Sequence, residues 1–269
     1  MDIIDMFSIS FMQRAFIGCL LLSITYGLYG MFIIPRKIGF MADGISHASL
    51  LGIAVGLSIG INPLLPALVL AAFLGFLLAY SADSQSVTSD GLIGIFLSGG
   101  MSGAIIIMAF MPGYKPDLFS YLFGNLLSIQ NVDIYALVAF TIFSIIGFIL
   151  QWRALVISTI HLDLSKVINL PTTQSKYFLF IGMSLGLILG VKLLGVILIS
   201  ALLITPVMTA NQIATSFKGT FIATQLIGLF ASCIGIVLSY SLDLPPGPTI
   251  ALLLVAIFVL SLLQSKLSS

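Results

Sequence analysis

The sequence predicts an all-α, polytopic integral membrane protein with about eight to nine transmembrane helices, and three observations carry that expectation. Of 269 residues, 59% are hydrophobic and only 7% are charged, where a soluble domain carries about a quarter charged residues. Mean hydropathy is +1.23. Apolar runs recur between short polar breaks, each near the roughly 20 residues that a bilayer crossing needs. The whole of 1–269 reads as one transmembrane domain.

The expected spans follow in order. The first runs from about Ala15 to Ile34 and ends at Pro35-Arg36-Lys37. The second runs from Met41 to about Ile61 and closes at Asn62-Pro63. A third reaches Tyr80 and gives way to the polar stretch Ser81 to Asp90; a fourth covers about Gly91 to Phe110. The segment Leu118 to Asn131 is mixed and too short to span. The fifth ends near Trp152-Arg153, an aromatic and a cation suited to the interface. After a polar break at 154–175, residues 177–210 stay apolar apart from Lys192 and Pro206. At about 1.5 Å per residue that run exceeds one crossing, so two helices turning near Lys192 are expected. Spans at about 220–240 and 249–263, parted by Asp243-Leu-Pro-Pro-Gly-Pro248, bring the count to nine, or eight if 177–210 is one tilted helix.

Charge excludes some roles and orients the chain. A net charge of +1 gives no reason to expect nucleic acid as a partner; the surroundings are membrane lipid. The acidic start Met1-Asp-Ile-Ile-Asp5 does not read as a cleavable signal peptide. Cys19 and Cys233 lie inside apolar runs and read as packing residues. With the N-terminus outside, Arg36, Lys37, Arg153, Lys166, Lys176, Lys218 and Lys266 fall inside, against Arg14, Lys115 and Lys192 outside. The positive-inside rule therefore favours an outer N-terminus and a cytoplasmic C-terminus.

Chemistry concentrates in the second span. Asp43 and His47 stand four residues apart, which places a carboxylate and an imidazole on one helical face. Ionisable groups inside spans are costly and mark ion or substrate pathways, and this donor pair suits zinc or manganese. Asp43 could instead cap the helix, with His47 hydrogen-bonded to a neighbour. Two ligands do not complete a tetrahedral site; waters, another helix or a carrier protein must supply the rest, and a transit site should be incomplete because the ion must leave. Beside the pair runs Gly44, Ala48, Gly52, Gly56 and Gly60, a stripe that lets a neighbouring helix approach closely.

Two patterns point to catalysis. Gly100-Met-Ser-Gly103 resembles the surroundings of a rhomboid-type protease nucleophile, Ser102, but the only later base is His161 in a polar loop. Gly182-Met-Ser-Leu-Gly186 matches a hydrolase elbow, which needs a strand-to-helix turn that an apolar span cannot provide. Gly182, Gly186 and Gly190 read better as a packing stripe. No phosphate-binding Gly-x-x-x-x-Gly-Lys-[Ser/Thr] loop occurs, so the chain is expected to be no enzyme, and nucleotide-driven work needs a separate subunit. The loop at 154–175 is where it would dock.

Taken together, Phe11-Met-Gln-Arg-Ala15, Asp43-Gly-Ile-Ser-His-Ala-Ser-Leu-Leu-Gly52, Asp90-Gly-Leu-Ile-Gly-Ile95, Tyr121-Leu-Phe-Gly124, Gly195 to Pro206 with Thr209-Ala210, and Asp243 to Pro248 resemble the membrane subunit of bacterial zinc/manganese/iron ABC importers, closest to the zinc-uptake branch. The resemblance implies a permease fold related to cobalamin- and siderophore-type importers in the cytoplasmic membrane. It also implies two permease copies, expected as a homodimer, with two ATPase subunits beneath and an extracytoplasmic metal-binding protein above. The implied cargo is a divalent metal, zinc first, with manganese or iron as the alternative, and no cofactor is held permanently. A short coupling helix is implied in 154–175, with His161, Asp163 and Lys166 at the ATPase contact. The family's acidic segment is commonly followed there by Ala and then Gly, and those small residues are missing from this chain, which reads His161-Leu-Asp-Leu-Ser-Lys-Val-Ile-Asn169; Asn125 stands where the family often has Asp.

Overall fold

The computed structural model describes residues 3–82, 88–112, 124 and 129–267. Every regular element among them is helical, as a bilayer demands when it offers backbone groups no water to bond. In chain order they are α1 (Ile3–Ser8), α2 (Ser10–Ile33), α3 (Met41–Ser58), α4 (Leu64–Ser81), α5 (Ser89–Phe110), α6 (Asn131–Ile160), α7 (Leu162–Val167), α8 (Thr172–Ile213), α9 (Phe217–Leu242) and α10 (Pro246–Leu267). Eight of them are long and apolar enough to cross a membrane.

One of those eight is two helices. At 42 residues, α8 would extend about 63 Å, twice the roughly 30 Å hydrocarbon core. Its helical dihedrals fail at Gly195, with φ 73° and ψ 165°, a region open to glycine and strained for other residues. Packing against α2 shows that the chain reverses there. Through the first half, Gly182 lies on Tyr29, Gly190 on Tyr26, and Leu193 on Gly18, so α2 is followed backwards. Beyond the break, Leu203 and Val207 lie on Gly30, and the chain has returned. Residues 172–194 (α8a) and 196–213 (α8b) are thus antiparallel arms. Gly124, also left-handed at φ 77°, seals the turn: a Cβ there would stand 2.5 Å from the Leu194 carbonyl carbon. The turn falls three residues beyond Lys192, which stays helical and pairs with Asp133 of α6 at 2.7 Å.

Counting α8 twice gives nine crossings among the described residues. Lys192 with Asp133, and Arg14 with Asn131, tie the Gly195 turn and the start of α2 to the start of α6. At the opposite end, Arg36 meets Ser158 and Thr159, and Ser265 meets Gln212.

The small-residue stripe on α3 behaves as its spacing suggests from Gly44 to Gly56, whereas Gly60 lies past the end of the helix, at φ 73°, with open space around it. A Cβ on Gly44 would stand 2.5 Å from Ile93 of α5, and one on Gly52 would stand 2.5 Å from the Ala67 Cα of α4. Ala48 rests on Gly100. The α3–α5 seam runs parallel, Gly44 beside Ile93 and Leu51 beside Gly103. Gly182, Gly186 and Gly190 are likewise a seam, against Tyr29, Phe140 and Tyr26.

The fifth span is longer than its sequence suggests. α6 continues two turns past Trp152-Arg153 to Ile160 because Ala154 and Leu155 are buried. Trp152 packs on Phe32, Phe217 and Phe221. Cys19 and Cys233 are free thiols.

Candidate metal site

Asp43 and His47 lie in the first two turns of α3, both half-buried, on the face next to the glycine seam. His47 Nδ1 sits 2.9 Å from the Asp43 carbonyl oxygen. A carbonyl oxygen only accepts, so Nδ1 carries the proton. In the neutral ring the Nε2 lone pair is then free, the arrangement that fixes a metal-binding tautomer.

Asp43 is not a helix cap. The N-cap position is Phe40, with no side-chain cap bond. The Asp43 carboxylate turns instead to α8b, where Ser200 Oγ donates to Oδ1 at 2.5 Å. That leaves Oδ2 free for a cation. Ser200 reaches it because the Gly195 reversal brings α8b back across the bundle. From Ser200 the helix continues to Ile213, about 20 Å further at 1.5 Å per residue. Gly39, just before α3, already meets Ile204 halfway along that arm. The pair is therefore recessed within the bundle.

In the sequence Ser200 falls inside the Gly195 to Pro206 motif with no role attached to it. Its only local signal is a hydroxyl in a long apolar run.

Among the described residues no group of three or more His, Cys, Asp or Glu side chains could hold a metal. One chain thus offers a carboxylate oxygen and an imidazole nitrogen, with a serine hydroxyl in support. This donor set suits a divalent transition metal that is held briefly.

The other sequence-flagged residues lie apart. Ser102 is exposed on α5, which packs chiefly on α3 and α4. His161 is exposed at the end of α6, which packs chiefly on α2 and α8. Ser184 of the elbow-like pattern is mid-helix and donates to the Phe180 carbonyl. α7 supplies a short helix where the coupling segment is expected, although the side chains of Asp163 and Lys166 lie outside the described set. Asn125 and Tyr121 to Phe123 also lie outside it.

Comparison with known proteins agrees with this architecture. The chain is 30% identical over 251 residues to the manganese import system permease protein ScaB of Streptococcus gordonii, covering 93% of this chain and 90% of that protein. It is 28% identical over 264 residues to the high-affinity zinc uptake system membrane protein ZnuB of Haemophilus influenzae, covering 97% and 99%. Among solved structures, PsaBC from Streptococcus pneumoniae in complex with Fab superposes with a TM-score of 0.83 at 29% identity, covering 97% of this chain and 95% of that one. A family model matches residues 8–265, and by that match the chain belongs to the ABC 3 transport family.

Proposed function

We propose that this chain is the translocation subunit of an ATP-driven importer for a divalent transition metal, zinc first, and that Asp43 and His47 hold the ion in passage. The observation that carries the reading is the recessed pair itself, with His47 Nε2 and Asp43 Oδ2 left open. Membership of an ABC permease family makes the chain a multi-pass membrane permease whose ATPase is a separate subunit.

Two ligands bind too weakly to store zinc but suffice to pass it on. A second copy of the chain, related by a two-fold axis, would bring the same pair and raise the protein donors to four. In this reading two ATPase subunits act from the cytoplasm on His161 and α7, and a metal-binding protein delivers from outside. The complex sits in the bacterial cytoplasmic membrane with the C-terminus inward.

Manganese is the second reading. Ser200 adds an oxygen beside the carboxylate, and oxygen-rich surroundings suit manganese; ScaB carries a manganese name. Uptake of radioactive zinc and manganese, each competed by the other, in cells lacking and then regaining this gene decides between them. Uptake of both metals unchanged by the deletion in a strain with no second system overturns the importer.

A further inference from the structure

We propose that Arg36 is the strut through which motion at the cytoplasmic end of α6 and α7 reaches the ligand-bearing helix α3; this rests on the importer reading above. Arg36 lies in the α2–α3 loop, half-buried. Its Nη2 donates to Ser158 Oγ and Thr159 Oγ1, each at 3.1 Å, and Nε lies 3.4 Å from Thr159 Oγ1. Both hydroxyls spend their own protons on the Leu155 carbonyl, at 3.2 and 2.7 Å. Their lone pairs are thereby turned toward the guanidinium.

A cation belongs at that place. The last turn of α6 contains no basic residue of its own, and a helix C-terminus favours positive charge. Arg36 supplies it from another element. Among the described residues its guanidinium meets hydroxyls and no carboxylate, so the contact can be made and broken without stranding a buried anion.

Both ends of the strut lead somewhere. Upstream, Ser158 and Thr159 are followed, after Ile160, by His161 and α7, where the importer reading puts the ATPase. Downstream, the loop is a chain of hydrogen-bonded turns rather than a slack connection. Lys37 N bonds Ile34 O at 2.9 Å, Met41 N bonds Ile38 O at 3.0 Å, and Gly44 N bonds Phe40 O at 3.0 Å. Ile38, Met41 and Ala42 are buried. A displacement of Arg36 therefore reaches Asp43, seven positions on, through a stiff segment. Rigid-body movement of packed elements is the usual form of such transmission.

The test uses the permease–ATPase complex in lipid vesicles with zinc-loaded binding protein, following zinc uptake and ATP hydrolysis together. Arg36→Met should lower zinc moved per ATP about tenfold while the ATPase stays bound and hydrolyses ATP. Ser158→Ala with Thr159→Val, which keeps Arg36, should do the same even if Arg36→Met proves unstable. The combined variant should be no worse than either, and Arg36→Lys should recover part of the loss. Unchanged zinc per ATP, or additive losses in the combined variant, overturns the strut. Loss of ATPase binding also overturns it, by making Arg36 part of the docking surface. If the unaltered complex hydrolyses ATP and moves neither zinc nor manganese, the importer reading fails, whatever Arg36 does.

Discussion

Ser200 donates a hydrogen bond to the Asp43 carboxylate across 157 positions of sequence, joining the returning arm of α8 to the first turn of α3. Such outer-shell bonds orient a ligand and typically contribute ten- to a hundredfold in metal affinity. Ser200→Ala should raise the metal concentration for half-maximal uptake about tenfold with little change in maximal rate. Ser200→Thr, which keeps the hydroxyl, should stay near the unaltered protein. Uptake kinetics in vesicles read both.

His47→Ala removes the free imidazole nitrogen, and Asp43→Asn keeps the shape of the carboxylate while removing its charge. Both should abolish metal uptake while membrane insertion and ATPase binding persist. An Asp43→Asn variant with near-normal uptake would refute the metal site. Because metal ligands must be deprotonated, protons compete with the ion. Uptake should therefore fall as the medium facing the site is acidified, and more metal should restore it.

Gly195→Ala places a side chain at φ 73°, where L-residues are strained by about 1–3 kcal/mol. The tight contact of Gly124 with residues 193–195 leaves little room to relax. The detergent-extracted protein should unfold at a visibly lower temperature, measured by fluorescence-detected thermal stability, whereas Gly94→Ala, on an open face of α5, should not.

Lys192→Met leaves Asp133 half-buried with, among the described residues, the Gln130 backbone amide of its own helix cap as its remaining partner. Breaking such a pair costs more than replacing both members. Thermal stability should fall further for Lys192→Met than for Lys192→Met combined with Asp133→Asn.

Ser216 and Asp243 flank α9 and should lie on opposite sides of the membrane if that helix crosses it. In a variant without native cysteines, a cysteine at Ser216 should react with an impermeant maleimide only after the membrane is opened from the cytoplasmic side. One at Asp243 should react from outside. Labelling of both from one side would mean that α9 does not cross.

Much of this architecture is legible in the sequence because bilayer length and small-residue spacing are local properties. The α3 stripe and the Gly182–Gly190 stripe both became helix seams. The sequence predicts the reversal in α8 near Lys192, where the charge interrupts the apolar run, and it falls three residues on, at Gly195. The charge is neutralised by Asp133, 59 positions earlier, so the helix passes through it. The true break is a glycine among many, recognisable only by its dihedrals. The same limit hid Ser200, whose partner lies in a distant helix. Asp43 and His47 stood out because a carboxylate and an imidazole are rare inside a span.

The parallel seam of α3 and α5, and the late arrival of Ser200, bear on how the chain is made. α3 has the lowest hydropathy of the eight candidate spans, 1.2 against 1.9 to 2.7 for the others. Its close partners α4 and α5 are synthesised after it, and the hydroxyl that meets Asp43 comes later still. A nascent chain that has emerged only as far as α3 holds an ionisable pair with no seam, its Asp43 carboxylate still without the Ser200 hydroxyl. By hydropathy that span is the least suited of the eight to stand alone in lipid, and chains truncated before residue 200 should lose α3 from the membrane first.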